Sequence, residues 1–216
     1  MKKVLIACEE SQAITKAFRN RGYKAFSCDI KPCSGGHPEW HIQGDALREA
    51  YSGKYDMMIA HPPCTYLSVS GAGWLYNEDG TKNIQRWENR EKALMFVLHL
   101  MNAPIERIAI ENPISCISTE IRKPDCIVHP WHFGDEASKS TCFWLKNLPV
   151  LKHTKIVGKG TYRITKGGKK MYDWYNLPPS AERKTIRSKT FPGMAHAIAE
   201  QWGGAMSSYP VQLKLF

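Results

Sequence analysis

No apolar run in this sequence reaches the ~18 residues that a membrane-spanning helix needs. No CxxC pair occurs among its seven cysteines, which stand at 8, 28, 33, 64, 116, 126 and 142. An odd, scattered set in a chain of 216 residues argues against a disulfide framework and for reduced thiols in a cytoplasm. The opening MKKVLIACEES has only a short apolar run before two glutamates, so it reads as a first strand and not as a signal peptide. There is no internal repeat and no low-complexity tract. Cys126, His129 and His132 have a zinc-like spacing, but Pro130 interrupts the run and no second paired cluster accompanies it. A loop of buried and half-buried side chains is the preferred reading there, and no metal is expected.

Acidic residues are nearly missing from one long segment. Between Lys152 and Lys189 eleven Lys/Arg face only Asp173 and Glu182, a net +9 within 38 residues, while the whole chain carries +10. Tyr162, Tyr172, Trp174 and Tyr175 are interleaved with these cations. A solvated, sticky loop is the plain reading. Basic groups also neutralise phosphates, and aromatic rings stack on bases. The combination therefore points to nucleic acid, with Arg163, Lys169, Lys170, Trp174, Arg183 and Arg187 as candidate contacts.

The first 147 residues alternate strand-like and helix-like pieces. KVLIAC (3–8), KAFSCDI (24–30), YDMMIA (55–60), ERIAIEN (106–112) and STCFWLKN (140–147) read as strands. SQAITKAFRNRG (11–22), DALREAYSG (45–53) and NIQRWENREKALMFVLHLMNA (83–103) read as helices, the first two ended by glycine. In the third, Trp87, Leu94, Val97, Leu98 and Met101 fall at helical spacing. Such alternation predicts right-handed crossovers and an α/β, Rossmann-like fold with a mainly parallel sheet. Residues 148–187 break the pattern and read as a small basic insertion. PGMAHAIAEQWGG (192–204) returns as a closing helix, so the main α/β domain is expected over 1–147 and 188–205, with a flexible tail over 206–216.

In open parallel sheets ligands gather beyond the carboxyl ends of the strands. The first strand ends in Cys8, Glu9, Glu10 and Ser11, and the second in Asp29 and Ile30. Asp45 and Ala46 stand in the next loop, Pro62 after YDMMIA, and Glu111, Asn112 and Pro113 after RIAI. An acid after the second strand commonly takes ribose hydroxyls. Each such residue alone is weak, because Asp caps helices everywhere. Together they describe a nucleoside pocket. Beside it lies HPPCTYLS (61–68), with Cys64 directly after two prolines that stiffen the exit from the strand. Cys64 can be read as a small buried hydrophobe, a metal ligand or a nucleophile. Glu111 can be read as a plain strand-end carboxylate or as its catalytic partner.

The order of DMMIAHPPCTYLSVSG, IAIENP and RSKTFPGMAHAIAEQW resembles the DNA cytosine-5 methyltransferases, and most of all their short, phage-type members. The resemblance runs over about residues 3–147 and 188–204. It implies S-adenosylmethionine as methyl donor, double-stranded DNA as substrate and a base flipped out of the helix. It gives Cys64 the role of the thiol that attacks cytosine C6, and Glu111 that of the group holding N3 and the exocyclic amine. The residues at the first strand ends would then bind the cofactor, and Asn112 and Lys139 the base. The sequence departs from the family in three places. The first loop, ACEESQ, has no glycine; Lys139 stands where the family has an arginine pair; and the last motif lacks its usual asparagine. Other readings stay open: a pyrimidine-modifying enzyme with another nucleic acid or another group, or an inactive DNA-binding accessory protein. Amino methylation is disfavoured, because that chemistry uses an aromatic residue after the prolines where this chain has Cys64.

The last five residues, QLKLF, resemble the pentapeptide that binds the bacterial sliding clamp. Gln212, Leu213, Leu215 and Phe216 would make that contact, in a bacterial or phage-infected cell. The plain alternative is a terminal strand packed on its own domain.

Overall fold

A computed structural model of the protein describes residues 2–176, 180 and 190–208. The strands are β1 (Lys3–Ala7), β2 (Lys24–Asp29), β3 (His41–Gln43), β4 (Met57–Ala60), β5 (Arg107–Asn112), β6 (Cys126–Val128) and β7 (Thr141–Lys146). They form one sheet in the order β3-β2-β1-β4-β5-β7-β6. The middle of the sheet explains its own sequence. Val4 to Ala7 and Met57 to Ala60 are all buried, as unbroken apolar strands between two helical layers must be. Val4, Ile6, Ile59 and Ala109 point to one face, where they meet α1 (Ala13–Arg19) and α5 (Pro192–Ser208). Leu5, Ala7, Met58 and Ala60 point to the other, toward α2 (Ala46–Ala50), α3 (Ile84–Met101) and α4 (Ile117–Glu120). The fold is thus the expected Rossmann-like α/β type, a mainly parallel sheet flanked by helices.

The far edge differs from a purely parallel sheet. β7 runs antiparallel to both β5 and β6. Antiparallel neighbours need no crossover helix. Between β6 and β7 the chain instead makes a 3₁₀ turn at Pro130–His132 and a bend at Gly134, whose φ is 97°. β3 and β6, three residues each, are too short to show a periodicity in sequence.

α5 continues through Ser208, four residues past the predicted end of the closing helix. Met206, placed at the start of the tail from sequence, is buried, and its carbonyl accepts a hydrogen bond from Lys2 Nζ at 2.7 Å. Trp202 packs edge-on against Phe143 and donates its indole N–H to Pro149 O at 2.9 Å. Only glycine fits at the start of α5: a Cβ on Gly193 would stand 2.1 Å from Phe133 O. Its N–H donates to Asp135 Oδ2 at 2.9 Å, which ties the helix to the turn before β7.

The basic segment forms a hairpin of β8 (Tyr162–Ile164) and β9 (Lys170–Tyr172), followed by a 3₁₀ turn at Asp173–Asn176. Among the described residues no helix is long and apolar enough to cross a membrane.

Candidate active site

Register alone brings the first two groups together. Ala60 of β4 lies beside Ile110 of β5, so the next residues, His61 and Glu111, stand side by side, His61 just past β4 and Glu111 still paired with Phe143 of β7. His61 N–H extends the strand pairing to Ala7 O at 2.9 Å. Its Nδ1 meets Glu111 Oε2 at 3.1 Å, with both side chains largely buried. One residue further, Asn112 donates its amide to Pro62 O at 2.9 Å. Asn112 is 1% exposed, so its side chain serves the turn that leads to Cys64 and does not reach the surface.

Cys64 itself is exposed. Its carbonyl accepts the N–H groups of Leu67 and Ser68 at 3.0 and 2.9 Å, which closes a turn directly after the prolines. The chain then crosses to the β5 exit: Val69 donates to Ile114 O and Cys116 to Leu67 O. The two exits are therefore stitched together by backbone. Val69–Leu75 follow as a 3₁₀ segment with exposed Val69 and Trp74.

A narrow cleft at the sheet end is lined by His61, Glu111, Lys139, Thr141, Phe191 and Met194, among others. Cys64 is not among its lining residues. The structure thus brings Glu111 and Lys139 together with His61, and leaves the thiol on the exposed turn three residues beyond. A separate open groove between α2 and α3, lined by Leu47, Met95, Phe96 and His99 among others, contains neither Cys64 nor Glu111.

Burial alone would favour a proton on Glu111. Burial does push its carboxyl upward, and it is the largest influence. The hydrogen bond with His61 and the charges of Lys139 and His61 together outweigh it, leaving the group below its ordinary value. Glu111 is therefore ionised at neutral pH. His61, which sequence reasoning gave no role, is the residue it missed. The available signal was positional: His61 is the first residue past a strand whose neighbour carries Glu111 at its end.

The predicted cofactor side is built differently from a glycine-rich turn. Cys8 and Gln12 have φ of 60° and 58°, the left-handed region usually left to glycine. The loop makes its turns without glycine because its side chains hold it. Glu9 is buried and accepts from Ile14 N–H (2.7 Å), Thr15 N–H (3.2 Å) and Thr15 Oγ1 (2.7 Å), so its carboxylate caps α1. Burial raises the Glu9 pKa, and the His61 charge and these bonds reduce the rise without cancelling it. Gln12 is locked between Ser27 Oγ and the backbone of His37. Segment 33–37 covers the loop, with Ser34 N–H on Glu10 O at 2.9 Å. Ser11 is half-buried.

Two other predicted cofactor residues, Asp29 and Asp45, act on Cys8. Its thiol is pushed well up by burial first, then by Asp29, Cys28 and Asp45. Asp29 and Asp45 therefore flank the end of β1. Asp45 also caps α2 through Leu47 N–H (2.9 Å), and Ala46 is buried behind it. Asp29 turns the chain through Lys31 N–H (2.9 Å), and Ile30 beside it is 78% exposed. Pro62 is buried. A carboxylate and an exposed apolar side chain at the end of β2, with a second carboxylate after the adjacent β3, fit a nucleoside with a cationic centre.

No protein-family model matches the chain, and no curated protein matches it in sequence. Solved structures do match in shape. One is an E. coli protein described as a candidate DNA modification methyltransferase encoded within a prophage, at 12% identity and a TM-score of 0.45, covering 73% of this chain and 52% of that one. A second is the Dnmt2 methyltransferase of S. pombe, at 18% identity and 0.41, covering 67% and 48%. A third is a triple mutant of Spodoptera frugiperda DNMT2, at 13% and 0.40, covering 73% and 55%. The chain spans about half the length of each of these structures.

The turn after the hairpin touches a residue of the cleft. Trp174 packs on Phe191, with ring centroids 4.8 Å apart, and Phe191 lines the cleft beside Glu111. Lys170 Nζ lies 4.5 Å from the centre of the Tyr162 ring. Arg163 approaches Met171 Sδ at 3.7 Å, and Lys169 is exposed. Arg183, Arg187, Gln212, Leu213, Leu215 and Phe216 lie outside the described residues. Among the described residues no group of three or more His, Cys, Asp or Glu is arranged to hold a metal ion. His132 stacks on His153 with centroids 3.7 Å apart, and burial with its charged neighbours pushes it down to about 4.

Proposed function

We propose that this protein is a DNA methyltransferase that modifies C5 of cytosine through the thiol of Cys64. The observation that carries the reading is the pairing of β4 and β5. It sets Glu111, buried in a cleft with His61 and Lys139, beside the strand whose exit turn carries Cys64. Asp29 and Asp45, with Ile30 beside them, would hold the cofactor, S-adenosylmethionine, which supplies an electrophilic methyl group when bound.

C5 of cytosine is a poor nucleophile until something adds to C6. The Cys64 thiolate makes that addition, and Glu111 holds N3 and the amino group in the cleft. Lys139 supplies the positive charge at the cleft floor. Because Cys64 stands outside the cleft lining, the turn at 64–68 closes onto the base as it enters. Its covalent tie to rigid prolines and its backbone bonds to 114–116 limit that movement to a few residues. Residues 1–147 and 188–205 form the catalytic unit, and 148–187 the DNA-reading insertion. The tail binds a sliding clamp through Gln212, Leu213, Leu215 and Phe216; deleting 212–216 abolishes clamp capture and leaves activity on short duplexes intact.

The test uses radiolabelled S-adenosylmethionine and duplex DNA, followed by digestion and identification of the labelled nucleoside. The expected product is 5-methylcytosine from the wild-type protein and none from Cys64→Ala. Labelled N4-methylcytosine or N6-methyladenine, or a Cys64→Ala variant with full activity, refutes the thiol chemistry. Calorimetry that finds DNA binding without cofactor binding favours an accessory role.

A further inference from the structure

The reaction above consumes a proton at base N3, and Glu111 has none of its own to give. Its carboxyl is ionised at neutral pH, held so by its neighbours. Something must deliver the proton, and among the described residues His61 touches the carboxylate. His61 Nδ1 is 3.1 Å from Glu111 Oε2, and the two side chains are 13% and 15% exposed. His61 Nε2 is buried with no hydrogen-bond partner among the described residues, so the ring is tethered at Nδ1 alone. Other ionisable groups among the described residues also face the pair. They are Glu9 from the β1–α1 loop, Lys139 from the segment before β7, and Cys142 of β7. α5 brings uncharged Met194 and Ile198 to the same cleft.

We propose that His61 is a positioning residue that stores the proton for Glu111 and passes it to the carboxyl when a base enters; this rests on the cytosine reading. The step balances. The Cys64 thiolate forms the S–C6 bond, the C5=C6 pair shifts to C4–C5, and the C4=N3 pair takes a proton at N3. That proton comes from Glu111, which has taken it from His61 Nδ1, and His61 ends neutral. After transfer at C5, the N3 proton returns through Glu111 to His61, and the C5 proton passes to water as the S–C6 bond breaks and its electron pair returns to the thiolate. A histidine suits the task because it gains and loses a proton near neutral pH.

Two measurements test this on the full-length protein. The first is single-turnover methyl transfer to duplex DNA across pH, for wild type and His61→Gln. Glutamine can still donate an N–H to Oε2 but carries no transferable proton. The wild-type rate falls at alkaline pH as the stored proton is lost. His61→Gln is slower on the order of 100-fold at neutral pH and lacks that fall. The second needs no substrate: the imidazole nitrogens of His61 are titrated by NMR in wild type and Glu111→Gln. Losing the carboxylate lowers the His61 midpoint by about one pH unit or more. An unmoved midpoint, or a His61→Gln variant with wild-type rate and profile, overturns the relay. If wild type itself yields no methylated cytosine, the cytosine reading fails and the relay fails with it. If wild type methylates and His61→Gln matches it, the relay alone fails.

Discussion

Asn112→Ala separates a residue that holds the active turn from one that touches DNA. The Asn112 amide donates to Pro62 O at 2.9 Å inside the protein, one residue from the start of the Cys64 turn. Truncation leaves that buried carbonyl without a donor, which costs about 1–3 kcal/mol. It also removes Asn112 Oδ1, a buried oxygen that has no partner among the described residues, and this offsets part of the loss. The net expectation is about 1–2 kcal/mol of destabilisation. Asn112→Asp is worse. It sets an acceptor against an acceptor next to Glu111, and either a buried charge or a forced protonation follows, at about 3 kcal/mol or more. Denaturant unfolding gives the stabilities, and methyl transfer on a short duplex gives the activity. Activity falls further than stability in Asn112→Ala, because Pro62 no longer fixes the turn that carries the thiol. A variant with wild-type stability but weakened DNA binding would refute this reasoning and make Asn112 a DNA contact.

Glu9→Gln isolates the buried cap of α1. The Glu9 pKa is raised in the folded state, so folding favours its protonated form. Its contribution is present below the ordinary carboxyl value of 4.5 and is lost as pH rises through the raised one. The stability difference between wild type and Glu9→Gln, followed by denaturant unfolding, therefore shifts against wild type as pH rises from 4.5; a flat difference contradicts the burial argument. Lys169→Ala with Lys170→Ala weakens DNA binding at every sequence tested. It lowers the salt slope of log K by about one per lost phosphate contact, measured by fluorescence anisotropy. Thermal melts of that variant change by about 0.5 kcal/mol or less, since neither ammonium is buried.

The parts of the fold that bury apolar surface were legible in sequence. VLIA and MMIA read as central strands because a strand covered on both faces has no polar position to spare. The long helix at 84–101 showed its spacing because only one face is covered. β3 and β6 were hidden, since three residues carry no period, and the inversion of β7 depends on a turn geometry that composition does not encode. At the site, Cys64 and Glu111 stood out by residue type and position after strands. What did not show was the charge state of Glu111, which follows from a partner fifty residues away in sequence. Glu9 is a similar case. It reads as a ligand-facing acid at a strand end, and the fold spends it on capping α1.

The thiol is the point on which the account rests. Duplex DNA carrying 5-fluorocytosine, incubated with the protein and S-adenosylmethionine, arrests the reaction with the base still bonded to the enzyme. The C5 fluorine cannot leave as a proton does. Digestion and mass spectrometry then locate the bond. The account predicts one modified peptide, containing HPPCTYLS with the base on Cys64, and no adduct from Cys64→Ala. An adduct on another cysteine, or methyl transfer with no adduct at all, contradicts it.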